Sequence, residues 1–149
     1  MNRVGKQRPT EQEILESAAS VIEAVLKLSV LERHKRDVIS GMLWKITEAR
    51  GKYKTRYRSR ASLVESGATL QHEHVFTRKD LAERILATPE RLREILSDAI
   101  GCVVTVEEHR RLSTVDHNLS VTSRLGTILE SRDRRDRHGR RPHVKWAAA

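Results

Sequence analysis

Four residues in this chain have the types and spacing to do chemistry together: the run His72, Glu73, His74 and, farther on, His109. An imidazole with a pKa of about 6.5 takes up or releases a proton near neutral pH, and its ring nitrogen is a common metal ligand. A carboxylate beside it supplies an anionic oxygen for a divalent cation. A single histidine on a strand is ordinarily a satisfied polar residue, and Glu107-Glu108-His109-Arg110-Arg111 reads equally as a solvated helix start. Three ionisable neighbours in a row are harder to explain by folding alone. Two ligand sets stay open. Residues two apart on a strand face the same way, so His72 and His74 could hold one metal with His109 as third ligand. In the other set, Glu73 and His109 hold the ion and His74 acts as a base.

The elements that must position these residues are legible from local signals. Leu70 to Phe76 reads as an extended stretch, and Cys102-Val103-Val104-Thr105 as a short β-branched strand. Thr105 and Glu108 have capping-box spacing, which starts a helix carrying His109 and Leu112. Between the strands, Thr77 with Asp80 predicts a helix through Leu86, and Thr88-Pro89-Glu90 a further one to about Ala99, ended by Gly101. Upstream, Thr10 and Glu13 form another box, opening a helix to about Ser29 with an apolar stripe of Ile14, Ala18, Val21, Val25 and Leu28. Residues 31–50 predict its partner, with Leu31, Val38, Met42, Ile46 and Ala49 as the stripe and Trp44 beside it. Gly41 marks a close helix contact or a break. The pair reads as a helical hairpin.

Gly51 stops the second helix. Lys52, Lys54, Arg56, Arg58 and Arg60 then alternate with Tyr53, Thr55, Tyr57 and Ser59. An extended segment would carry these cations on one face, suited to a phosphate backbone or to a charge-protected edge strand. Residues 62–67 read as a short helix or turn. Beyond Ser113 the pattern weakens to a short helix through Leu125, Ile128 and Leu129. The Arg-rich run 131–141 has no apolar periodicity and reads as disordered.

The totals bound the rest. The 149 residues fit one domain, with 38% hydrophobic and 33% charged residues. The lone Cys102 excludes an internal disulfide and a thiolate zinc cage. As a nucleophile paired with His109 it is a poor candidate, because it begins an apolar strand. His34, His117, His138 and His143 have no identifiable partner. Lys plus Arg number 29 against 20 Asp plus Glu, a net charge of +9 that attracts polyanions. Aromatic content of 3% argues against a base-stacking platform. With no apolar stretch long enough to cross a bilayer and no apolar core behind the basic amino terminus, the expected place is the cytoplasm, away from membranes.

Over residues 70–112 the chain resembles the HNH, or ββα-metal, endonuclease family, with Glu73-His74 as its first pair and Cys102-Val103-Val104-Thr105-Val106-Glu107-Glu108-His109 as its closing strand and helix. The resemblance implies hydrolysis of phosphodiester bonds of DNA. His74 would be the general base, and a divalent ion (Mg²⁺ or Mn²⁺, with Zn²⁺ an alternative) would be held by Glu73, or His72, and by His109. Lys52, Lys54, Arg56, Arg58, Arg60 and Arg78 would hold nucleic acid, DNA in preference to RNA. The family's central asparagine has no counterpart in Asp98-Ala99-Ile100-Gly101, which keeps open a noncatalytic DNA-binding protein of phage or regulatory type. The expected architecture is α+β and mostly helical: a flexible basic arm (1–9), a helical hairpin (10–50) packed on a small ββα-metal-like unit that includes the basic strip (51–113), and a weakly ordered basic tail (114–149).

Overall fold

A computed structural model describes residues 8–64, 67–114 and 130–131. Helix α1 (Glu11–Lys27) opens on the expected capping box. The Thr10 hydroxyl accepts the Glu13 N–H at 3.2 Å, and the Glu13 carboxylate accepts the Thr10 N–H at 2.7 Å, satisfying donors that a helix start otherwise leaves bare. Helix α2 (Glu32–Thr47) packs against α1 as a hairpin.

Their shared core differs from the expected stripes by about one residue around each helix. Ala18, Val25 and Ile46 are buried as expected, but Val21, Leu28, Leu31 and Val38 are exposed and Met42 and Ala49 are only partly buried. Leu15, Ala19, Ile22, Ile39 and Leu43 fill the interior instead. Both helices carry apolar residues on more than one face, so periodicity alone does not choose which face the core takes. Gly41 produces neither break nor close contact: α2 runs through it, and no described residue lies within 4 Å of where a Cβ would stand.

The polypeptide then turns at Gly51, whose φ of +109° is readily adopted only by glycine. The turn continues through Lys52 and Tyr53, so the basic run is not one extended segment. Only β1 (Tyr57–Arg58) is strand, and it lies inside the sheet, not at its edge. Burial alternates only in part from Thr55 to Arg60: Thr55 and Ser59 are buried and Arg56 and Arg60 exposed, but Tyr57 and Arg58 are both half-buried.

A short α3 (Arg60–Val64), β2 (Leu70–His74) and α4 (Arg78–Ala87) follow. The Thr77 hydroxyl accepts the Asp80 N–H at 3.1 Å and so caps α4. The helix expected from Thr88 to Ala99 is instead a 3-10 turn (Pro89–Arg91) and a short α5 (Leu92–Leu96). Thr88 does not cap it, because its hydroxyl donates back to the Arg84 carbonyl at 2.9 Å. Strand β3 (Gly101–Thr105) passes directly into α6 (Val106–Thr114), and β4 (Glu130–Ser131) completes the sheet.

The sheet order is β2-β3-β1-β4, with β2 antiparallel to β3, β1 parallel to β3 and β4 antiparallel to β1. The protein is therefore a mostly helical α+β structure in which the hairpin packs on α4 and shares a core with α4 and α5, beside a small sheet. Leu81, Ile85, Leu92, Ile95 and Leu96 join the hairpin in one core. Burying each such side chain contributes about 1.5–3 kcal/mol. Residues 1–7, the helix expected through Leu125 to Leu129 and the Arg-rich run beyond Ser131 lie outside the described residues.

Candidate functional site

The register of β2 against β3 divides the candidate residues. Side chains alternate along a strand, so His72 and His74 point to one face and Glu73 to the other. Contacts agree: the two histidines meet the C-terminal end of α2, while Glu73 meets α6. The sequence-predicted residues thus form two groups, not one.

The first group is Glu73 and His109. Glu73 Oε2 stands 2.5 Å from His109 Nδ1, and Glu73 Oε1 accepts the backbone N–H of His74 at 2.9 Å. Their side chains are 19% and 40% exposed, respectively, so the pair opens to solvent. His109 is aimed by the start of α6. There Thr105 and Glu108 form the expected reciprocal box, with Glu108 Oε2 accepting the Thr105 N–H at 2.8 Å and Thr105 Oγ1 accepting the Glu108 N–H at 3.2 Å. The same Oε2 accepts from the hydroxyl of buried Ser59 at 2.6 Å, which ties the helix start to the end of β1.

The second group is buried under α2. His72, only 4% exposed, donates from Nδ1 to the Lys52 carbonyl at 3.0 Å. Its Nε2 and that of His74 each lie 3.2 Å from Thr47 Oγ1, so one hydroxyl links both rings. Trp44 lies 5.5 Å from the His74 ring, and the Arg78 guanidinium stacks over Trp44 at 4.6 Å. Burial lowers the His74 pKa to about 4, helped by the charges of His72 and Arg78 and opposed by Glu73. His74 is therefore neutral at pH 7, and its basicity falls well below what water activation near neutrality calls for. Gly101, across from His74 on β3, permits the packing: a Cβ there would meet His72 Cε1 at 2.6 Å and the Thr47 carbonyl oxygen at 2.8 Å.

Glu73 and His109 offer one carboxylate oxygen and one imidazole nitrogen, donors that could hold a divalent cation with its remaining positions left to water. A closed site of three or more protein ligands is not formed among the described residues. His72 is not part of a set with His109, because it lies on the other face.

Of the basic residues, Lys52, Lys54, Arg56 and Arg60 are exposed, whereas Arg58 is half-buried and donates to the Tyr53 carbonyl at 3.2 Å. Arg78 is committed to Trp44. A cleft of about 450 Å³ lies between the hairpin and the start of β3, lined by Leu15, Ile46, Ile100, Tyr57 and Arg56 and bordered by the Arg50–Glu11 ion pair at 2.7 Å. Thr47 and Ser59 are the polar residues that sequence reasoning missed. Each is buried and bridges distant segments, and no local spacing marks either one.

Comparison with known protein families, curated proteins and solved structures finds no match to this chain. Among the described residues no helix is long and apolar enough to cross a membrane.

Proposed function

We propose that this protein binds nucleic acid and hydrolyses its phosphodiester bonds, with Glu73 and His109 as the cation-holding pair. The observation that carries the reading is the 2.5 Å contact between Glu73 on β2 and His109 on α6, two residues far apart in the chain that meet at an open position. The order of antiparallel strand, strand and helix around that contact supports it, as does the net charge of +9. A bound divalent ion would supply Lewis-acid stabilisation of charge on the phosphate. Within the chain, a bound ion would take the place of the proton shared between Glu73 Oε2 and His109 Nδ1, the two side chains parting to admit it, while exposed Arg56 and Arg60 attract the backbone.

His74 supports a positioning role in this reading, because it faces α2 and anchors β2 to Thr47. The same placement favours a second reading, a noncatalytic nucleic-acid-binding protein that lacks a base beside Glu73 and His109. Incubating the purified protein with supercoiled plasmid and Mg²⁺ or Mn²⁺ separates the two. The first reading expects metal-dependent nicking by the parent and by His74→Asn, and none by Glu73→Gln or His109→Ala. DNA retention with no nicking by any of the four proteins supports the binder instead.

A further inference from the structure

Helix α1 has a second face that no described residue of the chain covers. At 100° per residue, the core side of α1 is set by Leu15, Ala19 and Ile22, and the opposite side runs from Glu13 through Ser17, Ser20, Val21 and Ala24 to Lys27. All of those residues are exposed. In a chain of which 33% is charged, no charge interrupts that face between Glu13 and Lys27. The neighbouring acids do not supply one, since Glu16 and Glu23 turn to the flank, where both bind Arg93 at 2.9 and 3.0 Å. Val21 is 40% exposed and Leu28, just past the helix, 53%. A helix side meant for water alone ordinarily carries charged residues.

We propose that this face docks on the same face of a second copy of the chain, the two α1 helices lying antiparallel across a two-fold axis near Ser20. The charges at the two ends select that occupant and that direction. Glu13 and Lys27 stand equally far from Ser20 on either side, so the antiparallel arrangement sets each Glu13 beside the partner copy's lysine. A parallel arrangement would oppose like charges at both ends. The Glu13 carboxylate is held ionised by its bonds from the Thr10 backbone and hydroxyl, which lower its pKa. Serine and alanine in the middle let the two backbones approach closely, while Val21 and Leu28 supply apolar area. With 17 residues rising 1.5 Å each, the seam is about 25 Å long. Such a self-complementary patch closes on itself as a dimer and leaves nothing to propagate.

The test is the mass of the full-length protein in solution by light scattering and sedimentation, with three variants. The parent is expected to dimerise. Val21→Glu places a charge in the middle of the seam and should weaken the dimer at least tenfold with an unchanged circular dichroism spectrum. Lys27→Glu should weaken it as well, and the loss should shrink at high salt. Ser20→Cys should give an oxidised covalent dimer, whereas Ser29→Cys, far from the axis, should not; the native Cys102 is buried and does not compete. A parent that stays monomeric at every concentration overturns the proposal. So does a dimer that survives Val21→Glu unchanged, which would place the contact on another surface.

Discussion

Glu73 and His109 meet at 2.5 Å across the strand-helix junction, and the pair is held from both sides: Glu73 by the backbone of β2, His109 by the capped start of α6. If the pair serves chemistry and not folding, removing it should separate activity from stability. Glu73→Gln and His109→Ala are each expected to lower plasmid nicking by about a hundredfold or more. Because the pair is partly exposed, either change should cost less than about 1 kcal/mol in urea unfolding. Equal losses of stability and activity would mark the contact as a structural tie.

His74 predicts an acid sensitivity with a definite direction. Its pKa is about 4 in the fold against 6.5 for an unburied imidazole, so the unfolded chain binds a proton that the folded chain refuses between those values. Stability is then full above pH 6.5 and falls as pH drops toward 4. The upper limit of the loss is a few kcal/mol, at about 1.4 kcal/mol per unit. Unfolding midpoints measured across pH 4 to 7 should show this slope in the parent and a flatter one in His74→Asn.

Gly101 should not tolerate even a methyl group. The Cβ of Gly101→Ala would stand 2.6 Å from the His72 ring, which the Lys52 carbonyl pins, and 2.8 Å from the Thr47 backbone oxygen. Relieving both contacts requires α2 and β3 to separate, at a cost of about 1–3 kcal/mol. Denaturant titration gives the cost, and a change in Trp44 fluorescence would report the displacement beside His72.

Two residues that tie helices together should differ sharply in weight. Leu43→Ala deletes a fully buried side chain between α2 and its neighbours and is expected to cost about 2–5 kcal/mol. Arg93→Ala removes two ion pairs from α5 to α1, but the charges are partly exposed, so the expected loss is below about 1 kcal/mol. The two values come from the same unfolding measurement, and a larger effect at Arg93 would contradict a core-dominated fold.

Where the chain encodes its own local instructions, the sequence was readable. The boxes at Thr10 with Glu13 and Thr105 with Glu108 form as their spacing predicts, since each is closed within one helical turn. The helical hairpin, β2 and β3 follow from the same kind of signal. Choices that depend on a partner were not readable. α1 and α2 have two usable apolar faces each, and only the arrival of α4 and α5 decides between them. The candidate site was half legible: Glu73 and His109 come together, but strand alternation sends His74 to the opposite face. Thr47, which receives it, carries no mark of that role in its own neighbourhood.

One oxygen of Glu108 holds the Ser59 hydroxyl and the Thr105 amide at once, one residue before His109. Each residue turns a helix by about 100°, so fixing Glu108 fixes the compass bearing of the imidazole that follows. Aim and contact are thereby assigned to different side chains: the ring at 109 meets Glu73, and the side chain of its neighbour, which makes no bond to that pair, decides where the ring looks.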